Sequence, residues 1–177
     1  MTSKIIAVSG THGTGKSSLA FSIASFLKKL GKNVAVINEL ARECPFPINQ
    51  DADDRSQAWI ATKQITKELE KMNRYDYLIV DRSLMDPICY STVLGNTNSI
   101  SLLLMDYVAA HIRMYYKKVY ILDPLFFNWN VVDGIRDNDE TFRNNVHETM
   151  IHLFKENKLS YTLVRSSEEI YSDLVNL

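Results

Sequence analysis

Residues 10–17 read GTHGTGKS and match the spaced pattern GxxxxGK[ST] at every fixed position. Glycines in such a segment let the backbone curl so that successive N–H groups point toward phosphate oxygens, and a helix that begins there adds the positive end of its dipole. An apolar run at residues 5–8 comes directly before the segment, and a helical pattern over residues 18–30 follows it. The sequence therefore predicts a strand, a phosphate-binding loop and a helix in that order.

The residue types of this loop also predict individual roles. The ammonium of Lys16 can reach the β- and γ-phosphates of a nucleotide, and the hydroxyl of Ser17 can ligate Mg²⁺. His12 occupies a free position of the pattern, and we expect it to be exposed, with a contact to the substrate as the alternative. The residues that we expect to contact the nucleotide are Gly10, Gly13, Thr14, Gly15, Lys16, Ser17 and Ser18.

Short apolar runs alternate with helical patterns along the whole chain. The apolar runs cover residues 4–9, 33–38, 77–81, 119–122 and 161–164, and the helical patterns cover residues 16–30, 53–72, 99–115, 138–154 and a last segment that begins at Ser166. Runs that are apolar on both faces are typical of strands inside a parallel sheet. We therefore predict an α/β sandwich with right-handed crossovers, in which ligands bind beyond the carboxyl ends of the strands.

The composition of the chain argues against several classes of protein. Its 177 residues contain no linker-like segment, which predicts one domain over residues 1–177. A formal net charge of −1 disfavours a general binder of nucleic acids or anionic membranes. No apolar run approaches the ~18 residues of a membrane span, so we expect a cytoplasmic protein. Cys44 and Cys89 lie far apart in sequence, which argues against a disulfide framework and a zinc site.

Charged residues follow two of the predicted strands, at the rim where the phosphate-binding loop lies. Asp81 ends the third strand, where a second oxygen ligand for Mg²⁺ is required. Arg82 comes next and can take the charge of a transferring phosphoryl group or of an acidic substrate, or form a salt bridge at the strand end. Glu39 can accept a proton from an acceptor hydroxyl, and Arg42 can bind an anionic group; a helix-terminal acid with its i,i+3 partner is the alternative.

Two further segments are candidates for closing the site and for binding the acceptor. Residues 130–145 contain a glycine, several acids and the spaced Arg136 and Arg143, which suit a lid that closes over phosphates and excludes water. A solvated loop has a similar composition. Trp59 offers an aromatic face and Gln57 and Gln64 offer amides for a planar ring, with helix packing as the alternative.

These segments together resemble the P-loop nucleoside and nucleotide kinases, and more closely a group of AAA-like ATP-binding proteins related to the nicotinamide riboside kinase domain. The matching stretches are ELARE at residues 39–43, SQAWI at residues 56–60 with Gln64, DRSLMD at residues 81–86 with Tyr90, and DGIRD at residues 133–137 with Phe142 and Arg143. The resemblance implies a three-layer P-loop NTPase sandwich around a five-stranded parallel sheet of order 2-3-1-4-5. It also implies ATP as the phosphate donor.

By analogy with deoxynucleoside kinases, the resemblance implies a role for individual residues. Glu39 would be the base, Asp81 would hold Mg²⁺ together with Ser17, and Arg82 would lie near the reacting phosphate. The other residues to which we give a catalytic role are Lys16, Arg136 and Arg143. One departure concerns the lid, which is shorter and more acidic than in many nucleotide kinases.

The first functional hypothesis is a kinase that transfers the γ-phosphoryl group of ATP to a nucleoside, a nucleotide or a related small molecule. A GTPase would need an Asn/Thr-Lys-x-Asp guanine reader after a late strand, and residues 122–125 read LDPL instead. A kinase acting on a nucleic-acid end or on a modified base in DNA would share the donor site, but it needs a basic groove that the even charge balance does not favour. A regulatory ATP-binding module with little turnover would keep the same loop and remains open.

Overall fold

Strands and helices alternate along most of the chain, and two helices in succession lie between the third and the fourth strand. The computed structural model describes residues 3–48, 51–96, 100–127 and 140–175. Its strands are β1 (Lys4–Ser9), β2 (Val34–Ile37), β3 (Tyr77–Asp81), β4 (Tyr116–Leu122) and β5 (Thr162–Val164). Its helices are α1 (Lys16–Lys29), α2 (Asp54–Lys71), α3 (Met85–Val93), α4 (Ile100–Tyr115), α5 (Glu140–Glu156) and α6 (Ser167–Val175), and a short 3-10 turn spans Leu40–Glu43.

The five strands form one parallel sheet in the order β2-β3-β1-β4-β5, which confirms the sheet order implied by the resemblance. The central strand β1 pairs with β3 on one side and with β4 on the other. In this register Val8 stands beside Asp81 and beside Tyr120. The carboxyl ends of β1 and β3 therefore bring the phosphate-binding loop and Asp81 to the same edge of the sheet.

Helices cover both faces of the sheet, and the alternation of side chains along β1 shows how. Ile5 and Ala7 are buried in a core formed with residues of α2, α3, α4 and α5. Ile6 and Val8 are buried in a second core formed with residues of α1 and α6. Because successive side chains of a strand point to opposite faces, an all-apolar strand requires two cores of this kind. The chain thus folds as the predicted three-layer sandwich.

One helix, α3, was not predicted from the sequence. All residues of α3 from Met85 to Ser91 are buried, so the helix has no polar face and no periodic alternation of polar and apolar residues. Pro87 stands in its first turn, where a missing backbone N–H costs no hydrogen bond. In the described ranges, none of the helices is both long enough and apolar enough to cross a membrane.

Candidate active site

A cavity opens at the carboxyl ends of the central strands, where three segments converge. The first is the phosphate-binding loop, which contributes residues from His12 to Ser17. The second follows β2 and contributes Glu39 and Arg42. The third follows β3 and contributes Arg82, together with residues of the buried helix α3. The sequence analysis assigned catalytic or binding roles in all three segments, and the fold brings them to one place.

The loop itself is shaped by glycines with positive φ. Gly10, Gly13 and Gly15 have φ values of 136°, 74° and 74°, in the region that residues with a Cβ atom rarely adopt. The loop is closed internally, because the hydroxyl of Thr14 donates to the carbonyl of Thr11 at 2.8 Å. A Cβ atom at Gly10 would lie 3.2 Å from the carbonyl oxygen of Leu122. Glycine at position 10 therefore lets β1 turn into the loop directly against the end of β4.

Lys16 is a buried cation at the floor of the cavity. Its Nζ donates to the carbonyl of Thr11 at 2.5 Å and to the hydroxyl of Thr14 at 3.3 Å. Burial, followed by the nearby Arg82 guanidinium, lowers the pKa of Lys16 from 10.5 to about 7. A phosphate bound at the loop would supply the negative charge that stabilises the ammonium form.

Asp81 and Ser17 supply two neighbouring oxygen atoms that fit a magnesium ion. The Ser17 hydroxyl hydrogen-bonds to the Asp81 side chain, and burial raises the pKa of that carboxyl group in spite of this bond. The Oδ1 atom of Asp81 is buried and accepts no hydrogen bond from the described part of the chain. Within the same ranges, no cluster of three His, Cys, Asp or Glu residues could hold a metal. A magnesium ion at Ser17 and Asp81 would thus complete its coordination with water and phosphate oxygens, as Mg²⁺ commonly does.

Glu39 and Arg82 form an ion pair at the wall of the cavity. The Nε atom of Arg82 lies 2.6 Å from Oε1 of Glu39, and Nε of Arg42 lies 3.0 Å from Oε2. The Arg82 guanidinium lowers the pKa of Glu39 to about 2, against the opposing effect of burial. Glu39 is therefore ionised at neutral pH. The expected salt bridge at the strand end is present and lines the cavity, and the catalytic roles of Glu39 and Arg82 stay predictions.

Asp86 contacts Arg82 through one carboxylate oxygen. Through the other oxygen it contacts Ser9 at the end of β1 and Ser83 just after β3. It is 1% exposed, and its Oδ2 accepts hydrogen bonds from the Ser9 hydroxyl at 2.7 Å and from the Ser83 amide at 2.9 Å. Its Oδ1 lies 3.4 Å from Nη1 of Arg82, whose guanidinium also lies 5.4 Å from the ring centroid of Tyr90. No role was expected for Asp86 from the sequence, although it ends the DRSLMD stretch at residues 81–86.

The other predicted contact residues fall into two groups. Gln57 and Arg42 line the cavity, whereas Trp59 and Gln64 lie outside its described lining. Trp59 packs partly buried against the core and has the Lys63 ammonium 5.9 Å from its ring centroid. Gln64 is buried, and its amide donates to the Arg82 carbonyl and to Glu68. The predicted role of Trp59 and Gln64 in binding a substrate thus stays a prediction.

The remaining predicted residues lie at the edges of the site. Ser18 is exposed in the first turn of α1, and Arg143 is half-buried in the first turn of α5. Arg136 and residues 130–139 of the predicted lid lie outside the described residues, so the lid stays a prediction. The expectation that His12 is exposed is wrong: it is 7% exposed, because Phe142 of α5 stacks on its ring at 6.2 Å between centroids.

Comparison with known proteins agrees with this geometry. The AAA domain family AAA_28 matches residues 5–169 of the chain. No curated protein sequence matches. Among solved structures, the NadR protein in complex with NAD and AMP-PNP is similar over 93% of this chain and 45% of its own, with a TM-score of 0.68 and 16% identity. This chain thus spans less than half of the NadR chain.

Two kinases of about the same length are also similar. Thymidylate kinase from Ehrlichia chaffeensis has a TM-score of 0.61 and 15% identity, with 99% of both chains covered. Deoxyadenosine kinase from M. mycoides with bound dATP has a TM-score of 0.61 and 16% identity, with 98% of this chain and 100% of the other covered. At these identities the similarity shows that the chain has the P-loop kinase fold.

Proposed function

The chain belongs to the AAA domain family AAA_28, and on that basis we propose that it is an ATP- and Mg²⁺-dependent kinase of a nucleoside, a nucleotide or a related small molecule. One observation carries the proposal: the Glu39–Arg82 ion pair and the Lys16 loop line the same cavity. A carboxylate, a guanidinium and a phosphate-binding loop around one space are the parts that phosphoryl transfer requires. A module that only binds ATP has no need of the first two.

The donor side of the site would bind the triphosphate. Backbone N–H groups of the loop and the ammonium of Lys16 would contact the β- and γ-phosphates, and the start of α1 adds the positive end of its dipole. Bound Mg²⁺, held by Ser17 and Asp81, would neutralise charge on the phosphate oxygens. Lys16 is already buried beside the loop, so little rearrangement of this side chain is needed.

The acceptor side of the site would be organised by Glu39 and Arg82. The ionised carboxylate of Glu39 can accept a hydrogen bond from an acceptor hydroxyl and orient its oxygen toward the γ-phosphorus. Because its pKa is about 2, Glu39 is a weak base that takes the proton only as the new phosphate ester bond forms. Arg82 would stabilise charge on the transferring group.

The direct test is an ATP-consumption screen with Mg²⁺ against nucleosides, nucleoside monophosphates and nicotinamide riboside. We expect turnover that depends on an acceptor and is lost in the Lys16→Ala variant. Lys29→Ala is the matched control, because Lys29 is exposed at the far end of the same helix. Tight ATP binding without turnover on any acceptor would contradict the proposal and favour a nucleic-acid substrate or a regulatory module.

A further inference from the structure

Arg82 has a backbone conformation that is unfavourable for a residue with a side chain. Its φ is 85°, whereas the other non-glycine residues with positive φ in the described ranges, Asn73 and Lys158, lie in turns just after helices α2 and α5. Helix ends often use such a conformation, but Arg82 directly follows a buried strand. A non-glycine residue keeps such a positive φ only when its surroundings stabilise that backbone conformation.

The surroundings hold the backbone of Arg82 from both sides. Its amide donates to the carbonyl of Val8 in β1 at 3.0 Å. Its carbonyl accepts a hydrogen bond from Nε2 of Gln64, on α2, at 2.9 Å. The contact with β1 is made by the main chain and survives any substitution at position 8. The contact with α2 depends on one side chain, Gln64, which is 3% exposed.

A buried network orients the amide of Gln64. Its Nε2 also donates to Oε1 of Glu68 at 2.9 Å, and Glu68 is completely buried. The same Oε1 accepts from the Tyr116 hydroxyl at 2.7 Å, and Oε2 lies 2.8 Å from Nε2 of His111. Both oxygens of Glu68 therefore have partners, one from β4 and one from α4. These hydrogen bonds restrain the Gln64 amide, because moving one member of the network leaves another unpaired.

We infer that Gln64, oriented by Glu68, is the positioning residue that holds Arg82 in its left-handed backbone conformation and so sets its guanidinium against Glu39. At one position in the chain, a φ near −60° and a φ of 85° direct the side chain differently. Without the Gln64 contact, Arg82 relaxes toward an ordinary conformation and its Nε leaves the Glu39 carboxylate. The kinetic consequence of this inference rests on the proposed kinase function, but its structural consequence does not.

The structural consequence is tested by NMR of the arginine side chain. The Nε–H signal of Arg82, identified by its loss in Arg82→Lys, should be shifted downfield and exchange slowly with solvent in the wild-type protein. In Gln64→Met, which keeps the size of the side chain but removes the donor, the signal should move to the position of exposed arginines and exchange at least tenfold faster. Met72→Ala removes buried atoms at the end of the same helix and should leave the signal unchanged.

The kinetic consequence is tested by a double-mutant cycle. Gln64→Met should lower kcat about 10- to 100-fold while the KM for ATP stays within about threefold, because the donor loop is untouched. In an Arg82→Ala background the same substitution should have no further effect on kcat. A general loss of stability would instead lower activity equally in both backgrounds.

The outcomes separate this inference from the proposed function. A folded Gln64→Met protein with an unchanged Arg82 signal overturns the inference, and so does a full effect of Gln64→Met in the Arg82→Ala background. A displaced Arg82 signal in a protein without kinase turnover supports the inference and contradicts the proposed function. If Gln64→Met does not fold, Gln64→Asn provides the same test, because its shorter amide cannot reach both Glu68 and the Arg82 carbonyl.

Discussion

The Nε atom of Arg82 lies 2.6 Å from Oε1 of Glu39, and the two side chains are 14% and 15% exposed. Screening by solvent is weak at such a site, so the two charges determine each other's ionisation. Arg82 lowers the pKa of Glu39 to about 2, and Glu39 in turn raises the pKa of Arg82. The pair therefore presents a permanent carboxylate and a permanent cation to the cavity.

The first prediction concerns stability in acid. The pKa of Glu39 is about 2 in the folded chain, whereas the ordinary value for a glutamate is 4.5. The stabilisation by ionised Glu39 is therefore fully present above about pH 5 and is lost as the pH falls toward 2. The contribution of ionised Glu39 to the free energy of unfolding is on the order of 3 kcal/mol. Urea unfolding of the wild-type and Glu39→Gln proteins between about pH 3 and about pH 7 measures it.

The wild-type protein should be more stable than Glu39→Gln at neutral pH, and the difference in free energy of unfolding should shrink as the pH falls. A difference that stays constant over this range would show that the carboxylate does not contribute through its charge. Glu43→Gln is the control, because Glu43 forms a partly exposed ion pair with Lys67 and is not among the described residues that line the cavity. Its effect should stay within about 0.5 kcal/mol.

The second prediction concerns turnover by the same Glu39→Gln variant. Glutamine keeps the shape of the side chain but cannot take a proton, and it leaves the Arg82 guanidinium without its counter-ion. We expect kcat to fall about 100-fold or more, whereas the KM for ATP should change less than about threefold. Steady-state kinetics with the acceptor found in the screen measures both values. A comparable rise in the KM for ATP would place Glu39 at the donor side instead.

The sheet could be predicted from the sequence because its strands are apolar on both faces and the phosphate-binding loop fixes the start of the fold. The first strand was expected at residues 4–9 and spans Lys4–Ser9, and the third was expected at 77–81 and spans Tyr77–Asp81. The fourth strand begins at Tyr116, three residues earlier than expected. Residues 116–118 alternate between half-buried and exposed positions, so they lack the continuous apolar run of a central strand.

The position of Asp81 and Glu39 near the phosphate-binding loop was predictable, because each follows or ends a strand of the parallel sheet. The site was not predictable where the function of a side chain depends on a partner distant in sequence. Gln64 suggests a ligand contact from its type alone, and only the fold shows that its amide holds the Arg82 carbonyl. His12 was expected to be exposed because Phe142, which packs on its ring, is 130 residues away in sequence and belongs to α5.

The third prediction concerns the glycine that begins the loop. Alanine at position 10 would need the unfavourable φ of 136° and would place its Cβ 3.2 Å from the carbonyl oxygen of Leu122. We expect Gly10→Ala to lower the free energy of unfolding by about 1–3 kcal/mol and to weaken ATP binding at least tenfold. Gly31→Ala is the matched control, since Gly31 has a φ of 76° and no atom within 4 Å of the added Cβ.

Gly31→Ala should lower stability by about 1 kcal/mol and leave ATP binding unchanged, because position 31 lies after the far end of α1. Isothermal titration calorimetry with a non-hydrolysable ATP analogue and thermal unfolding of each variant separate the two effects. Unchanged ATP binding in Gly10→Ala would mean that the loop tolerates a side chain at position 10.

The last prediction concerns Asp81, the proposed magnesium ligand. Its replacement should make the protein more stable and its use of Mg²⁺ weaker. Asp81 is 6% exposed, its Oδ1 has no hydrogen-bond partner in the described residues, and burial raises the pKa of its carboxyl group. The ionised form is thus less favourable in the folded chain than in the unfolded chain. Without Mg²⁺, Asp81→Asn should therefore raise the free energy of unfolding by about 1 kcal/mol.

The same substitution removes a negatively charged ligand, so the Mg²⁺ concentration for half-maximal turnover should rise at least tenfold. Asp76→Asn, at the opposite end of β3, should leave the Mg²⁺ requirement unchanged, because Asp76 accepts a hydrogen bond from the Asn33 amide far from the loop. Thermal unfolding in EDTA and turnover over a series of Mg²⁺ concentrations measure the two effects. A variant that is both less stable in EDTA and unchanged in its Mg²⁺ requirement would show that Asp81 is a structural residue at the strand end. A more stable variant with a raised Mg²⁺ requirement would show that the chain keeps a buried carboxylate there, at a cost to its stability, for the metal.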